Sequence, residues 1–187
     1  MSNFRGVYTS DRLISAANVF DIFPENNINK KVELPFGLKS GLIKLKEHIK
    51  TALKDYEDER NKLLQSIGFL SRKSLRDRID ERLQFLHDEQ FDHPVSDLQE
   101  LISYGVKVRN YFVHGSNIKV LSVDQLYEYQ GLFIQCFEYI YAISELIECG
   151  WKPDQQPMNF SQHPLGGMKM EIEIGYRQLM KSIEENK

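Results

Sequence analysis

Apolar residues recur at three- and four-residue intervals over most of this chain, the period of amphipathic helices. The first stretch covers residues 10–23. Leu13, Ile14, Ala17 and Phe20 form its stripe, Val19 lies to one side, and Ser10 or Asp11 is placed to cap it. Pro24-Glu25-Asn26-Asn27 reads as a turn, followed by an extended stretch through Pro35. From about Leu38 to Ile67, the spacing of Leu42, Leu45, Ile49, Leu53, Tyr56, Leu63 and Leu64 predicts one long helix. Ser71 or Ser74 caps the next, with Leu75, Ile79, Leu83 and Leu86 as its buried face. After a loop over 88–94, Ser96 and Gln99 have capping-box spacing and open a helix through Leu98, Leu101, Ile102, Val108 and Phe112. Gly115 is placed to end it. Ser122 opens a last long helix, Val123 to Cys149, with Gly150 just beyond.

The tail mixes two periods. Met168, Met170, Ile172 and Ile174 alternate as a strand would, while Tyr176, Leu179, Met180 and Ile183 keep helical spacing. The expectation is a loop from Trp151 to Gly167, then a closing helix. With no internal repeat and no low-complexity linker, the pattern predicts an all-α fold, an up-and-down bundle of five to six helices. It also predicts a single domain over 1–187, its core at about 10–150 and its loop and closing helix at 151–187.

Composition changes this picture little. A chain of 187 residues with 41% hydrophobic and 27% charged content is long enough for a real core and ordinary for a globular protein. The formal net charge of −3 excludes a global positive field, leaving only a local basic patch for nucleic acid. The apolar runs are shorter than a membrane span, and the start, Met-Ser-Asn-Phe-Arg, lacks the apolar core of a signal peptide. A cytoplasmic protein without membrane contact is expected. Cys136 and Cys149 fall on one helix, roughly 20 Å apart along its axis. They cannot bridge there, and reduced, buried thiols are expected.

The candidate chemistry sits at Arg109-Asn110-Tyr111-Phe112-Val113-His114-Gly115. Arginine holds phosphate through a planar fork, and histidine moves protons near neutral pH. Spacing alone is not specific, since Arg82-Leu83-Gln84-Phe85-Leu86-His87 repeats it. Asn110 directly after the arginine and Gly115 directly after the histidine set the first motif apart. Positions five apart on a helix point about 140° from each other. Convergence therefore needs the chain to leave the helix near His114, or the arginine to curl round. A structural Arg–His arrangement at a helix end is the alternative to a catalytic one.

Val108-Arg109-Asn110-Tyr111-Phe112-Val113-His114-Gly115 resembles the signature of the HEPN superfamily, an Arg with a polar follower and four to six residues between that Arg and a His; here the gap is four. Within it, the chain is similar to the HEPN domain of ApeA-type anti-phage defence proteins. Arg12-Leu13-Ile14-Ser15-Ala16-Ala17 and Ser74-Leu75-Arg76-Asp77-Arg78-Ile79 support this, and the likeness covers roughly residues 10–150. The resemblance implies metal-independent RNA cleavage in a homodimer whose motifs face each other, with Arg109, Asn110 and His114 as catalytic residues. It implies no cofactor and no metal. The substrate class it suggests is tRNA or a similar RNA, with activity restrained by another domain or an antitoxin-type partner. Attack by the 2′-hydroxyl needs both a base and an acid, which one His114 can hardly supply alone.

Other features are weaker. Arg72, Lys73, Arg76 and Lys107 are candidate RNA-binding residues, and Lys30-Lys31, Arg78 and Arg82 add to the positive charge. A helix face laced by local ion pairs is the competing reading. His87-Asp88-Glu89 with Asp92-His93 gathers metal-ligand types without diagnostic spacing. Gly166-Gly167 reads as a turn. Tyr127, Phe133, Phe137, Tyr139 and Tyr141 read first as core or dimer packing, with base stacking as the lesser option. The alternative to a ribonuclease is a non-catalytic helical module for dimerisation or RNA or nucleotide binding.

Overall fold

A computed structural model describes residues 9–22, 34–69, 72–91, 97–153 and 163–185. Its elements are α1 (Ser10–Ile22), α2 (Phe36–Ala52), α3 (Glu57–Phe69), α4 (Leu75–Asp88), α5 (Leu98–His114), α6 (Val123–Glu128), α7 (Gln130–Glu148) and α8 (Pro164–Glu185). The fold is all-α, as the periodicity predicts. Among the described residues the helices outnumber the expected five to six because two long ones are each broken once. The chain divides into two compact units, Met1–Phe23 with Leu75–Lys187, and Pro24–Ser74.

The smaller unit contains α2 and α3, packed on each other. The predicted single helix stops at Leu53, whose backbone (φ −108°, ψ 37°) is not helical, and resumes at Glu57. Local charge favours the break. Lys50 stands in the last turn of α2, and Glu57, Asp58 and Glu59 fill the first turn of α3, each sign suiting its helix end. Neither helix buries a residue, so no packing forces the two into one rod.

The larger unit is organised around α7, which packs against α1, α4, α5, α6 and α8. Leu132, Phe133, Ile134, Phe137, Tyr139, Ile140 and Ile143 are buried along it, joined by Leu13, Ala17 and Phe20 of α1 and Leu101, Ile102 and Val108 of α5. Gly105 lets α5 approach closely. A Cβ there would lie 2.9 Å from Cζ of Phe137 and 3.2 Å from Cδ1 of Phe133. Three ion pairs fasten neighbouring elements. Arg12 meets Glu138 through two bonds of 2.9 and 2.8 Å, Arg78 pairs with Asp21, and Arg82 with Glu148.

The helix ends follow local chemistry. Ser122 and Gln125 make a reciprocal capping box at α6. The long helix expected from Ser122 is interrupted at Tyr129, whose buried side chain bonds the Gln178 carbonyl (3.1 Å) and the Ser182 hydroxyl (2.8 Å) of α8. At α1 the amide of Arg12 donates to Thr9 Oγ1 at 3.2 Å, so the capping side chain lies one residue before the expected Ser10. The N-cap of α5 is Asp97, whose side chain makes no capping bond, and the expected Ser96 lies outside the described residues. So do Ser71, the Pro24 turn with most of the stretch after it, and Lys30-Lys31.

The closing helix starts earlier than expected, at Pro164, and takes in Gly166 and Gly167. Proline suits a first helical position, and His163 Nδ1 accepts from the Leu165 amide at 3.2 Å. Of the strand-like set, Ile172 is buried and Met170 and Ile174 are exposed, as one helical face requires. Among the described residues no helix is long and apolar enough to cross a membrane.

Both cysteines are free, but only Cys136 is buried; Cys149 is exposed, contrary to expectation. It caps the end of α7, past the packed stripe. Burial pushes the Cys136 thiol up to about 12, so its reactive thiolate is suppressed at neutral pH. Native protein at pH 8 should therefore consume one equivalent of a thiol reagent rapidly, at Cys149, and the second only in denaturant. Rapid labelling of both would contradict the packing of α7.

Candidate active site

Helix α5 carries the motif in its last two turns and remains helical through His114. Gly115 then takes a left-handed backbone (φ 66°, ψ 24°), and its amide bonds the Tyr111 carbonyl at 2.9 Å. That conformation favours glycine and ends the helix where the sequence predicts. His114 is thus the last helical residue, with its side chain exposed.

Arg109 and His114 converge by the second of the two expected routes. The helix does not unwind; the guanidinium curls round it. Nη1 of Arg109 lies 3.5 Å from Nε2 of His114, at the outer limit of a hydrogen bond. A guanidinium has only donors, so a hydrogen bond across this gap requires Nε2 as its acceptor. The same Nη1 donates to Oδ1 of Asn110 at 3.0 Å. Nη2 donates to Oδ1 of Asn18, on α1, at 2.7 Å. Nε is buried and has no hydrogen-bond partner among the described residues. An unpaired donor on a buried charged group costs about 1–3 kcal/mol, a local penalty of the kind that collects at functional sites.

Asn18 is the contact that the chain's periodicity does not reveal. Its only signal is position: it follows Ala17 of the buried face, so it lies beside the seam where α1 meets α5.

The candidate RNA-binding residues have different surroundings. Exposed Lys107 shares one face of α5 with half-buried Asn110 and exposed His114, at spacings of three and four residues, and its ammonium lies 5.3 Å from the centre of the Tyr104 ring. Arg76 is bonded to Asp80 at 2.7 Å. Arg72 and Lys73 belong to the smaller unit, where the Arg72 guanidinium stands 4.3 Å over the ring of Phe69.

A cavity of about 370 Å³ lies elsewhere, lined by Leu83, Gln84, His87, Asp97, Leu98, Gln99 and Glu100. Glu100 is roughly 20 Å along α5 from His114, so this cavity is not part of the motif. The Tyr176 hydroxyl donates to Asp97 nearby (3.3 Å); burial first, then Asp97 and Glu100, push that phenol up to about 12. Of the acidic loop, Asp88 accepts from Gln84 and Glu89 pairs with Lys152, while Asp92 and His93 lie outside the described residues. Among the described residues, no three His, Cys, Asp or Glu side chains gather to hold a metal ion.

An all-helical chain that brings Arg, Asn and His together at a helix end has the form of a HEPN domain. A family model described as Apea-like HEPN matches residues 14–155, most of the chain, and the protein belongs to that family. HEPN domains are typically ribonuclease modules, and membership points to a ribonuclease-type effector. Searches of curated proteins and of solved structures found no match.

Proposed function

We propose that this protein is a metal-independent RNA endonuclease that acts as an anti-phage defence or toxin effector on tRNA or a similar RNA. The observation that carries the reading is the exposed imidazole of His114 with the Arg109 guanidinium 3.5 Å away. In the reaction, a base removes the 2′-hydroxyl proton and O2′ bonds to phosphorus. The bond from phosphorus to O5′ breaks, and an acid protonates O5′. The products are a 2′,3′-cyclic phosphate and a 5′-hydroxyl. Arg109 stabilises the charge that grows on the phosphorane, and Asn110 orients it.

Each chain offers one His114, so the base and the acid come from two copies related by a two-fold axis. Val113, Val120, Val123 and Tyr127, on the segment around His114, are exposed and supply apolar surface for such a pairing. Another domain or an antitoxin-type partner restrains the activity. The bonds from Arg109 to Asn18 and Asn110 also suit a structural clamp, which favours the alternative of a non-catalytic RNA-binding or dimerisation module.

Incubation with total tRNA in EDTA separates the two. The expected result is cleavage that leaves 2′,3′-cyclic phosphate ends. Intact tRNA in the presence of a folded dimer would favour the non-catalytic module.

A further inference from the structure

Arg109 differs from the other partly buried arginines described in its unit in what holds it. Arg12, Arg76, Arg78 and Arg82, each at least partly buried, are bonded to the carboxylates of Glu138, Asp80, Asp21 and Glu148. Arg109 is also partly buried, yet among the described residues its acceptors are two amide oxygens, Asn18 Oδ1 at 2.7 Å and Asn110 Oδ1 at 3.0 Å, and the imidazole at 3.5 Å. All three are uncharged when the imidazole is neutral. A carboxylate in either amide position would hold the fork as firmly and cancel its charge. An amide fixes direction and leaves the full positive charge in place.

We propose that Asn18 and Asn110 form a neutral clamp that aims the Arg109 guanidinium at an RNA phosphate without discharging it. Asn18 is the positioning residue, contributed by α1 from 91 residues away. Asn110 rides on the same helix as Arg109 and cannot by itself fix a long side chain against the body of the fold. Asn18 ties the far end of the guanidinium to a second helix, and α1 is itself held to α7 through Arg12 and Glu138. The buried Nε belongs to the same arrangement, since among the described residues it too meets no carboxylate. The catalytic consequence of the clamp rests on the ribonuclease reading; its consequence for phosphate binding does not.

The test compares wild-type protein with Asn18→Asp and Asn18→Ala in three measurements. These are thermal midpoint, tRNA cleavage in EDTA, and binding of a 2′-O-methyl RNA oligonucleotide across a salt series. Asn18→Asp is nearly isosteric and gives Arg109 an ion-pair partner. Its thermal midpoint should stay level or rise, while cleavage falls roughly tenfold or more as charge stabilisation is lost. Its binding slope in log affinity against log salt should shrink by about 0.7, the share of one phosphate on a single strand. Asn18→Ala should lower kcat more than it raises KM, because it loosens the fork and removes no charge.

Cleavage and salt slope unchanged in Asn18→Asp would overturn the clamp. So would activity that falls only in step with the thermal midpoint, which would make Asn18 merely structural. If the wild-type protein cleaves nothing, the ribonuclease reading fails, and the salt slope alone still decides the clamp.

Discussion

Replacing His114 by alanine is expected to reduce cleavage of tRNA in EDTA by roughly a thousandfold or more, without a measurable change in folding. General acid–base catalysis contributes about 10²–10⁴ for each group. In the two-fold arrangement proposed here, one substitution removes the base and the acid together. Stability should be spared, because His114 is exposed at the last position of α5 and, among the described residues, its one side-chain polar contact is the long approach to Arg109. Surface substitutions of this kind change stability by about 0.5 kcal/mol or less. The check is a single-turnover cleavage rate beside a thermal melt. A rate within a few-fold of wild type would remove His114 from the chemistry.

The second large effect is on the fold. Phe137→Ala should cost about 3–5 kcal/mol, the range for deleting a buried phenyl ring. For a chain of this length that lowers the thermal midpoint by about 6–20 °C. The reason lies in what the ring joins. Phe137 is fully buried on α7, meets Phe20 of α1 edge to face with centroids 6.2 Å apart, and fills the space that Gly105 leaves on α5. These are the helices that carry Asn18 and Arg109, so one cluster supports both halves of the contact between them. A urea or thermal unfolding curve measures the loss. A midpoint within about 2 °C of wild type would mean that this cluster does not hold the helices together.

Much of the fold is legible in the spacing of residues along the chain. The stripe of Leu13, Ala17 and Phe20, the face of Ile79, Leu83 and Leu86, and the core positions of α5 are buried as their spacing predicts. Gly115 and Gly150 both take positive φ at helix ends. Such features are local: a cap, a left-handed residue or a helical period depends on neighbours within one or two turns. Departures from the expected pattern have other causes. Cys149 has the composition of a core residue but stands beyond the last packed turn. Gly166-Gly167 has the composition of a turn, yet Pro164 and His163 start α8 ahead of it and the helix runs through both glycines. The break between α2 and α3 is written in the charges at Lys50 and Glu57–Glu59, which a count of apolar positions alone ignores.

The candidate site divides in the same way. Sequence by itself determined that Arg109, Asn110 and His114 stand on one helix within two turns of its glycine stop, because those relations are set by helical geometry. Only the tertiary structure decided that the arginine curls back to the histidine and that its other end is held by the amide of Asn18. Those contacts depend on how α1 and α5 pack together on α7, and such packing leaves no local trace in the chain.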